Sequence, residues 1–419
     1  MPKQRVDIKM EWNTEQQILK SKYYTVGHDI VRPSAAERDA KINFDRVLWK
    51  KVGGTGLFGL CMPKEYGGAG LDIADFGAAL EGFAAGCQDM GVLVTLVAQV
   101  ALVQSALVNY GTKEQCETWL PELISGEKLA CFAITEKGCG SDVRSITTHV
   151  DRTDNGYVLN GKKWNITNAP VADICMTFGK VVGKTEKSIA CFIFENNNEN
   201  IKQSKPFDLM GNRGTPIGEI DFENVKLATD NRVGEEEDGL AVLYFSFLVE
   251  RVLTGILVSG CITPLIQESF KYSQERKAFG KSIGDNQYVQ QYVVDIETKL
   301  ELLKGVIFRA LHALEKGEDC SKLASIVKMY SAEIFHESSL SAMRVMGNYG
   351  YRRDNYYERL LRDAIGLLFA GGTAEIHKRV IWESMVKESK NDNKRRENLK
   401  MSWTHALTEI HKEKELEEA

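Results

Sequence analysis

The spacing of apolar residues changes twice along the chain and separates three segments. From about residue 11 to 128, apolar positions recur with a period close to 3.6, which predicts helices. From about 129 to 235, Asn-Gly turns separate short β-branched or alternating stretches, which predict strands, such as those at 156–161, 189–194 and 219–222. The helical period returns after residue 239 and persists to about 390. The pattern alone therefore predicts an α+β fold with a β unit between two helical units.

These changes of pattern set four predicted regions. They are an N-terminal α-helical domain at 1–128, a central β domain at 129–238, a C-terminal helical bundle at 239–393 and a charged tail at 394–419. The tail is rich in Lys and Glu, and we expect it to form an exposed helix or a frayed end.

Two apolar runs are long enough to be tested as membrane spans. The run at 92–108 contains Gln99 and Gln104, and the run at 240–258 contains Glu250 and Arg251 near its middle. Polar and charged side chains at these places favour buried helices of a large soluble core over membrane spans. We therefore expect no membrane association.

Composition narrows the class of protein further. The chain has 419 residues, of which 43% are hydrophobic and 26% charged, as in a soluble globular protein. Its net charge of -5 gives no basic surface for a nucleic acid. Nine cysteines lack CxxC pairs and Cys/His zinc spacing, which predicts reduced thiols in the cytoplasm and no metal site. Residues 1–13 have no apolar core, so we expect no signal peptide.

The segment at 132–142 is the first that indicates chemistry. It begins like a strand and continues into a loop with two glycines, a threonine and a serine. Such a loop can present backbone N–H groups and hydroxyls to a flat polar ring. It has neither the GxGxxG nor the GxxxxGK[ST] pattern, so it is not a Rossmann or P-loop fingerprint. Taken alone, the segment is more consistent with an ordinary loop entering the β unit.

The same loop resembles the TEPGAGSD signature of acyl-CoA dehydrogenases, with Lys137 in place of the proline and Cys139 in place of an alanine. The resemblance extends over about residues 15–390. Further motifs in the family's order are Gly-Leu-Phe-Gly at 56–59, Tyr-Gly-Thr-Lys-Glu-Gln at 110–115, R-x-x-F-G at 276–280 and G-T-x-x-I at 372–376. It implies an FAD enzyme with an N-terminal helical domain, a central antiparallel β domain and a C-terminal four-helix bundle.

The resemblance also assigns residues to the flavin. Phe132, Ile134, Thr135 and Ser141 would lie at the flavin ring, with Ser141 also at the thioester entrance. Thr167 would lie near flavin N5.

Trp164 departs from the family's pattern. Many relatives carry a tryptophan two positions before the threonine at 167, where this chain has Asn165. A shift of one residue on a strand reverses the side that a residue faces. We therefore expect Trp164 to pack in the core rather than to contact the flavin.

Three later residues imply an oligomer. Arg276, Phe279 and Gln287 correspond to residues that reach the FAD of a neighbouring subunit, and a guanidinium matches pyrophosphate oxygens. Thr373 and Glu375 fall where family members contact the adenosine part of the cofactor. The resemblance therefore implies a homo-oligomer, either a dimer or a tetramer.

The catalytic base is expected at Glu250. In many relatives a glutamate precedes the Gly-Thr of the C-terminal motif, but here that position is Gly371. Isovaleryl- and long-chain acyl-CoA dehydrogenases instead carry the glutamate before an arginine on the long helix after the β domain, which matches Glu250 and Arg251. Independently, these two are the only charged residues in the apolar run at 240–258. A structural ion pair with Arg251 or another buried cation is the alternative.

Further expectations follow for this site. Apolar surroundings would raise the pKa of the Glu250 carboxyl and make it a better base. By the resemblance, the backbone N–H of Gly371 would hold the thioester carbonyl, and Arg251 would contact substrate. The missing side chain at Gly371 would leave room for a branched or polar substituent near the substrate's alpha carbon.

The sequence is compatible with three functions. The first is FAD-dependent α,β-dehydrogenation of an acyl or aminoacyl thioester of coenzyme A or of an acyl or peptidyl carrier protein. Its electron acceptor would be an electron-transfer flavoprotein or oxygen. The second is a flavin-dependent monooxygenase or oxidase on the same fold, for which a base is dispensable. The third is a cofactor-free scaffold, which the intact loop and R-x-x-F-G motif disfavour.

Overall fold

The N-terminal unit is helical. The structure, a computed structural model, describes residues 10–185 and 188–390, so the predicted tail at 394–419 lies outside the described residues. A π-helical segment, Ala98–Gln104, joins the fifth and sixth helices into one long rod. The helices are α1 Thr14–Val26, α2 Ala35–Lys41, α3 Arg46–Gly53, α4 Ile73–Cys87, α5 Met90–Val97, α6 Ser105–Tyr110 and α7 Lys113–Ser125.

Local sequence signals fix the ends of several of these helices. Asn13 accepts a hydrogen bond from the backbone N–H of Gln16 at 3.0 Å, and the Gln16 side chain accepts one from the backbone N–H of Asn13 at 3.0 Å. Thr112 and Gln115 form the same reciprocal capping box at the start of α7. These contacts satisfy backbone donors that a helix start leaves free.

The central unit is one eight-stranded sheet, with strand order β6-β7-β3-β2-β4-β5-β8 and β1 paired to β4. Most neighbouring strands are antiparallel, as predicted, but β1 and β2 both pair with β4 in parallel. The strands are β1 Ala130–Ala133, β2 His149–Thr153, β3 Gly156–Thr167, β4 Ile174–Val181, β5 Ile189–Glu195, β6 Ile201–Gln203, β7 Ile217–Ala228 and β8 Arg232–Val233.

The two parallel pairs explain the position of the glycine-containing loop. β1 pairs with 174–177 of β4, and β2 pairs with 180–181 of the same strand. The two strands therefore follow one line along β4, and residues 134–148 leave that line and return to it. The loop is an excursion from the sheet rather than a hairpin, so its tip can extend toward the helices.

The C-terminal unit is helical again, as the resemblance implies. Pro264 lies inside its first helix, which continues through it. A two-stranded hairpin, β9 Lys277–Ala278 and β10 Lys281–Ser282, separates the first two helices. The helices are α8 Gly239–Glu275, α9 Gln287–Glu315, α10 Ser321–Met346 and α11 Tyr357–Leu367, followed by a C-terminal helix at 374–390.

The two long apolar runs form interior helices. Met90–Tyr110 and Gly239–Glu275 are long and apolar enough to span a membrane by length and composition. However, 83% of the apolar window of the first and 67% of that of the second are buried within the fold. Residues of both lie in the main hydrophobic core, which joins the helical units to one face of the sheet.

Close helix packing brings α8 and α10 together near the middle of α8. A Cβ atom added to Gly255 would lie 2.2 Å from Cγ1 of Val327, so only glycine allows this approach. Glu250 and Thr254 lie in the adjoining turns of α8, and Lys328 follows Val327 on α10. The helix contact thus places these polar side chains face to face.

Candidate active site

A buried ion pair holds together the two ends of the 134–148 loop. The Glu136 carboxylate accepts hydrogen bonds from the backbone N–H groups of Thr147 at 2.7 Å and Thr148 at 3.0 Å. Lys163, fully buried on β3, donates to Glu136 at 3.0 Å and to the carbonyl of Ile134 at 3.1 Å. Burial tends to raise the pKa of Glu136, but Lys163 and the threonine hydrogen bonds outweigh it and lower that pKa to about 2. The loop is therefore held at both ends by an ionised carboxylate.

The tip of the loop is open, in contrast to its base. Cβ atoms added to Gly138 and Gly140 would have no heavy atom within 4 Å. Ser141 is exposed and Thr135 half-buried, whereas Phe132 and Ile134 are buried. The tip of the loop is thus open to a bound molecule, and buried apolar side chains lie on the strand that leads into it. This arrangement fits the flat, partly polar ring of a flavin.

Trp164 lies at the side of this loop and is half-buried, so the expected packing in the core is wrong. The pairing of β3 with β7 is irregular between Lys163 and Ile166, and Asn165 has a positive φ of 54°. This bulge interrupts the alternation on which the predicted reversal of side depended. The ring of Trp164 packs against Phe207, with centroids 5.1 Å apart, and its backbone N–H donates to the carbonyl of Thr135 at 2.8 Å.

The β unit meets α8 beside the predicted base. The rings of Phe132 and Phe247 have centroids 6.2 Å apart, and the Arg251 guanidinium lies over the Phe247 ring at 5.8 Å. Thr167 ends β3 and is half-buried. The next residue, Asn168, donates to the carbonyl of Ala130 at 2.9 Å, so the start of β1 lies beside the end of β3.

Glu250 is buried on α8 and its two carboxylate oxygens have different surroundings. Oε1 accepts a hydrogen bond from Lys328 Nζ at 2.6 Å and another from the Thr254 hydroxyl at 2.8 Å. Oε2 has no hydrogen-bond partner among the described residues. The alternative of a buried ion pair is therefore present, with Lys328 as its cation instead of Arg251.

The ion pair also corrects the expected pKa of Glu250. Burial does act to raise it, as predicted. The positive charge of Lys328 and the hydrogen bonds from Lys328 and Thr254 act in the opposite direction and prevail. The pKa of the Glu250 carboxyl is lowered from its ordinary value, so this carboxylate is ionised at neutral pH.

Gly371 directly faces this pair. A Cβ atom added to Gly371 would lie 2.8 Å from Glu250 Oε2 and 2.8 Å from Lys328 Nζ, and φ is +67° there. The space beside the glycine, which was expected to admit a substituent of the substrate, is occupied by these two charged groups. The missing side chain makes room for Glu250 and Lys328.

A second polar group closes the site from the C-terminal helix. His377 is 1% exposed, and both of its ring nitrogens lack partners among the described residues. Burial, together with Arg251 and Lys328, lowers its pKa to about 4, so the ring is neutral at pH 7. Arg251 Nε is also buried without a partner in the described residues. Unpaired buried groups of this kind are costly unless a bound molecule pairs with them.

The other predicted cofactor residues fall into two groups. Thr373 and Glu375 come directly after the Gly371 turn, where the C-terminal helix begins, and Glu375 is exposed. Arg276, Phe279 and Gln287 are exposed at the β9–β10 hairpin and the start of α9. Arg276 follows Glu250 by 26 positions, which is about 39 Å along a helix. The structure thus leaves the second group far from the Glu250 site of the same chain.

Sequence analysis missed Lys328, Thr254 and His377. For Lys328 a signal existed, since Ala324, Lys328 and Ser331 share the spacing of one helix face, and all three are buried. Burying a lysine ammonium is costly unless an opposite charge pairs with it, so a lysine at such a position predicts a buried acidic partner. No pattern in the chain could have matched it to Glu250.

Comparisons with known proteins identify the family of the chain. Over residues 13–127, 131–225 and 237–386 the chain matches, in order, the N-terminal, middle and C-terminal domains of acyl-CoA dehydrogenase. The chain belongs to the acyl-CoA dehydrogenase family.

Members of this family with different reactions resemble the chain. The 3-(aryl)acrylate reductase of Clostridium sporogenes (strain ATCC 15579) is 32% identical over 378 residues, or 87% of this chain and 100% of that protein. The prolyl acyl carrier protein oxidase AnaB superposes with a TM-score of 0.87 at 32% identity, covering 90% of this chain and 100% of that one. PigA with FAD and proline has a TM-score of 0.87 at 25% identity, covering 90% and 99%.

Proposed function

We propose that this protein is an FAD-dependent oxidoreductase that removes hydrogens from the alpha and beta carbons of an acyl or aminoacyl thioester. Glu250 is the base in this proposal. The observation that carries it is a buried carboxylate that is ionised and keeps one oxygen, Oε2, without a partner among the described residues. A general base needs such an oxygen at the proton that it removes.

The residues around Glu250 fit the remaining requirements of the reaction. Bound FAD would supply the hydride acceptor, and the open loop tip at Gly138–Ser141 would hold its ring. The backbone N–H of Gly371 would donate to the thioester carbonyl and stabilise the charge that develops on it. Arg251 and His377 offer unpaired nitrogens for a polar part of the substrate.

The similar proteins support both kinds of carrier. The family is named for coenzyme A thioesters, and AnaB acts on a prolyl group held by an acyl carrier protein. Unpaired buried polar atoms favour an acyl group with hydrogen-bonding atoms over a plain alkyl chain, because an alkyl chain would leave them unsatisfied. We therefore place aminoacyl and other polar thioesters first among the substrates to test.

Direction and electron acceptor are separate parts of the proposal. The similar C. sporogenes protein is named a reductase and AnaB an oxidase. The same carboxyl can deliver a proton in the reverse reaction, so Glu250 serves either direction. We propose oxidation of the thioester, with an electron-transfer flavoprotein or oxygen as the electron acceptor. The test should also include the reverse reaction, reduction of an α,β-unsaturated thioester.

The test is anaerobic bleaching of the bound flavin by a panel of coenzyme A and carrier-protein thioesters. We expect at least one thioester to bleach the wild-type flavin. Glu250→Gln should slow that bleaching by about 10²- to 10⁴-fold, the usual contribution of a general base. Glu301→Gln, an exposed glutamate of α9, is the matched control and should bleach at the wild-type rate.

Two results would contradict the proposal in different ways. Full-rate bleaching in Glu250→Gln would remove Glu250 as the base while leaving the dehydrogenase reaction in place. Absence of bleaching by every thioester, with rapid reaction of reduced flavin with oxygen, would favour the monooxygenase or oxidase alternative.

The proposal includes a homo-oligomer. Arg276, Phe279 and Gln287 are exposed and distant from the Glu250 site, which suits residues that complete the cofactor site of a neighbouring chain. The Phe279 side chain is 101% exposed and Tyr288 is 83% exposed, although exposed aromatic side chains are unfavourable in water. A dimer or tetramer would cover both of them.

A further inference from the structure

Lys328 is the buried cation beside the proposed base. Lys328 is 2% exposed, and its ammonium nitrogen lies 2.6 Å from Oε1 of Glu250 and 3.3 Å from the Thr254 hydroxyl oxygen. Every described partner of the Glu250 carboxylate contacts Oε1, and Oε2 has none. Two hydrogen bonds thus hold one oxygen of the carboxylate, and the other oxygen remains available to a bound molecule.

The backbone on both sides is shaped around this pair. Gly255 lets α10 approach α8 closely enough for Lys328 to reach Glu250. Gly371 has a left-handed φ of +67° and lacks the side chain that would collide with both charged groups. Burying a lysine and a glutamate is costly and often adds no stability relative to apolar residues. A buried pair with two glycines around it therefore suggests a function other than stability.

We propose that Lys328 is a positioning residue for the base: it holds Oε1 of Glu250 and leaves Oε2 as the oxygen that takes the alpha proton. In the step, the alpha C–H bond breaks and the proton forms an O–H bond with Oε2. The electron pair of that bond forms the double bond to the beta carbon, and the beta hydrogen leaves as a hydride to the acceptor that bound FAD would supply. This assignment rests on the proposed function. It adds the residue that orients the carboxylate and keeps it charged.

The groups facing Glu250 define its pH dependence. Lys328 faces it from α10, Thr254 and Arg251 from its own helix, and His377 from the C-terminal helix. His377 is neutral at working pH because its pKa is lowered to about 4. Without Lys328, burial becomes the dominant influence and raises the pKa of the carboxyl. Removing Lys328 should therefore turn an ionised base into a protonated one over part of the working pH range.

The kinetic test compares anaerobic bleaching from pH 5 to 9 in the wild type, Lys328→Met and Thr254→Val. Lys328→Met should lower the bleaching rate constant at saturating thioester by about 10²-fold and move the acid limb of the profile to higher pH. Thr254→Val loses one hydrogen bond that lowers the pKa of Glu250 but keeps the charge of Lys328. We therefore expect about a tenfold loss, with the acid limb moved to higher pH by less than in Lys328→Met. Lys322→Met, which changes a partly exposed lysine of the same helix, is the control and should behave as wild type.

A stability test needs neither flavin nor thioester. In Lys328→Met the raised pKa of folded Glu250 exceeds its unfolded value, so its favourable contribution is lost as pH rises through the folded pKa. We expect the melting temperature of Lys328→Met to fall between pH 5 and 8 relative to wild type. The double variant Lys328→Met with Glu250→Gln should lose this extra pH dependence.

The two assays separate failure of this assignment from failure of the proposed function. Bleaching of Lys328→Met at the wild-type rate with the wild-type pH profile would overturn the positioning role alone. A melting temperature of Lys328→Met that follows the wild type across pH would also overturn it. A wild-type flavin that no thioester bleaches would overturn the proposed function and, with it, the reaction that this residue serves.

Discussion

Two buried lysine–glutamate pairs organise the site at the level of single residues. Glu136–Lys163 fixes the loop that would hold the flavin, and Glu250–Lys328 holds the carboxylate proposed as the base. Both lysines belong to elements whose remaining inward residues are mostly apolar. A charge buried in such a place is tolerated only when its partner is also in place. Each pair thus couples one functional segment to a neighbouring strand or helix.

Replacing Lys163 tests this coupling at the flavin loop. Lys163→Met leaves the Glu136 carboxylate buried without its cation, so we expect a loss of about 3–5 kcal/mol in the free energy of unfolding. Loop disorder should also weaken FAD retention. Urea unfolding and flavin content after dialysis are the measurements. Lys162→Met, at the exposed neighbouring position, is the control, and equal losses in both variants would contradict the role of Lys163.

At the level of elements, the decisive contact is between α8 and α10. α8 carries Glu250 and α10 carries Lys328, and Gly255 against Val327 sets their separation. The pairing of charges is thus a consequence of how closely two helices pack. The excursion of 134–148 from the line of β1 and β2 has a similar effect, because strand pairing fixes where the loop leaves and returns.

Enlarging Gly255 should therefore separate base and lysine. Gly255→Val places side-chain atoms against Val327, and overpacking of this kind costs about 1–3 kcal/mol. We also expect slower flavin bleaching, with an acid limb moved in the same direction as in Lys328→Met.

Gly305→Ala is the control for a helical glycine. Its added Cβ would meet only the Met10 methyl, at 3.5 Å, so we expect a gain of about 0.5–1 kcal/mol from helix propensity. Thermal unfolding and the pH profile of bleaching measure both variants. A Gly255→Val enzyme with an unchanged profile would show that helix separation does not set the pair.

For the whole molecule, the main question is how many chains make one site. The site described above lies within one chain: its loop at 134–148 belongs to the β unit, and Glu250 and Gly371 belong to the C-terminal helical unit. Arg276 and Phe279 lie at the far end of α8, on an exposed hairpin. Arg276 follows Glu250 by 26 positions, about 39 Å along a helix, so the two residues do not reach one flavin ring. In the proposed homo-oligomer, this hairpin would contact the FAD of another copy of the chain.

Arg276→Ala tests this arrangement. If Arg276 contacts the pyrophosphate of a neighbouring chain's FAD, its loss should weaken FAD binding by about 1.5–3 kcal/mol, the worth of a charge-assisted hydrogen bond. Flavin dissociation and sedimentation in the same buffer give affinity and assembly state. Lys271→Ala, an exposed lysine one turn earlier on α8, should match the wild type. A monomeric wild-type protein that retains FAD would contradict the shared site.

The sequence by itself determined the order of the three units, and it identified Glu250 as a buried carboxylate and the candidate base. Period changes near residues 128 and 239 reflect local backbone preferences, which a single chain segment expresses without its neighbours. The isolation of Glu250 in an apolar run is likewise a local property, and its burial followed from it. The motifs then identified the family over most of the chain.

Only the tertiary structure decided what surrounds Glu250. Lys328 is 78 positions away, and no local pattern pairs them, because helix packing at Gly255 brings them together. The same packing reversed the predicted pKa shift of Glu250 and filled the space beside Gly371. The bulge at Asn165 depends on the pairing of β3 with β7. It interrupts the alternation of side chains between the two faces of the strand, on which the prediction for Trp164 depended. Contacts between distant segments depend on the whole fold, and they set the charge and orientation of the Glu250 carboxylate.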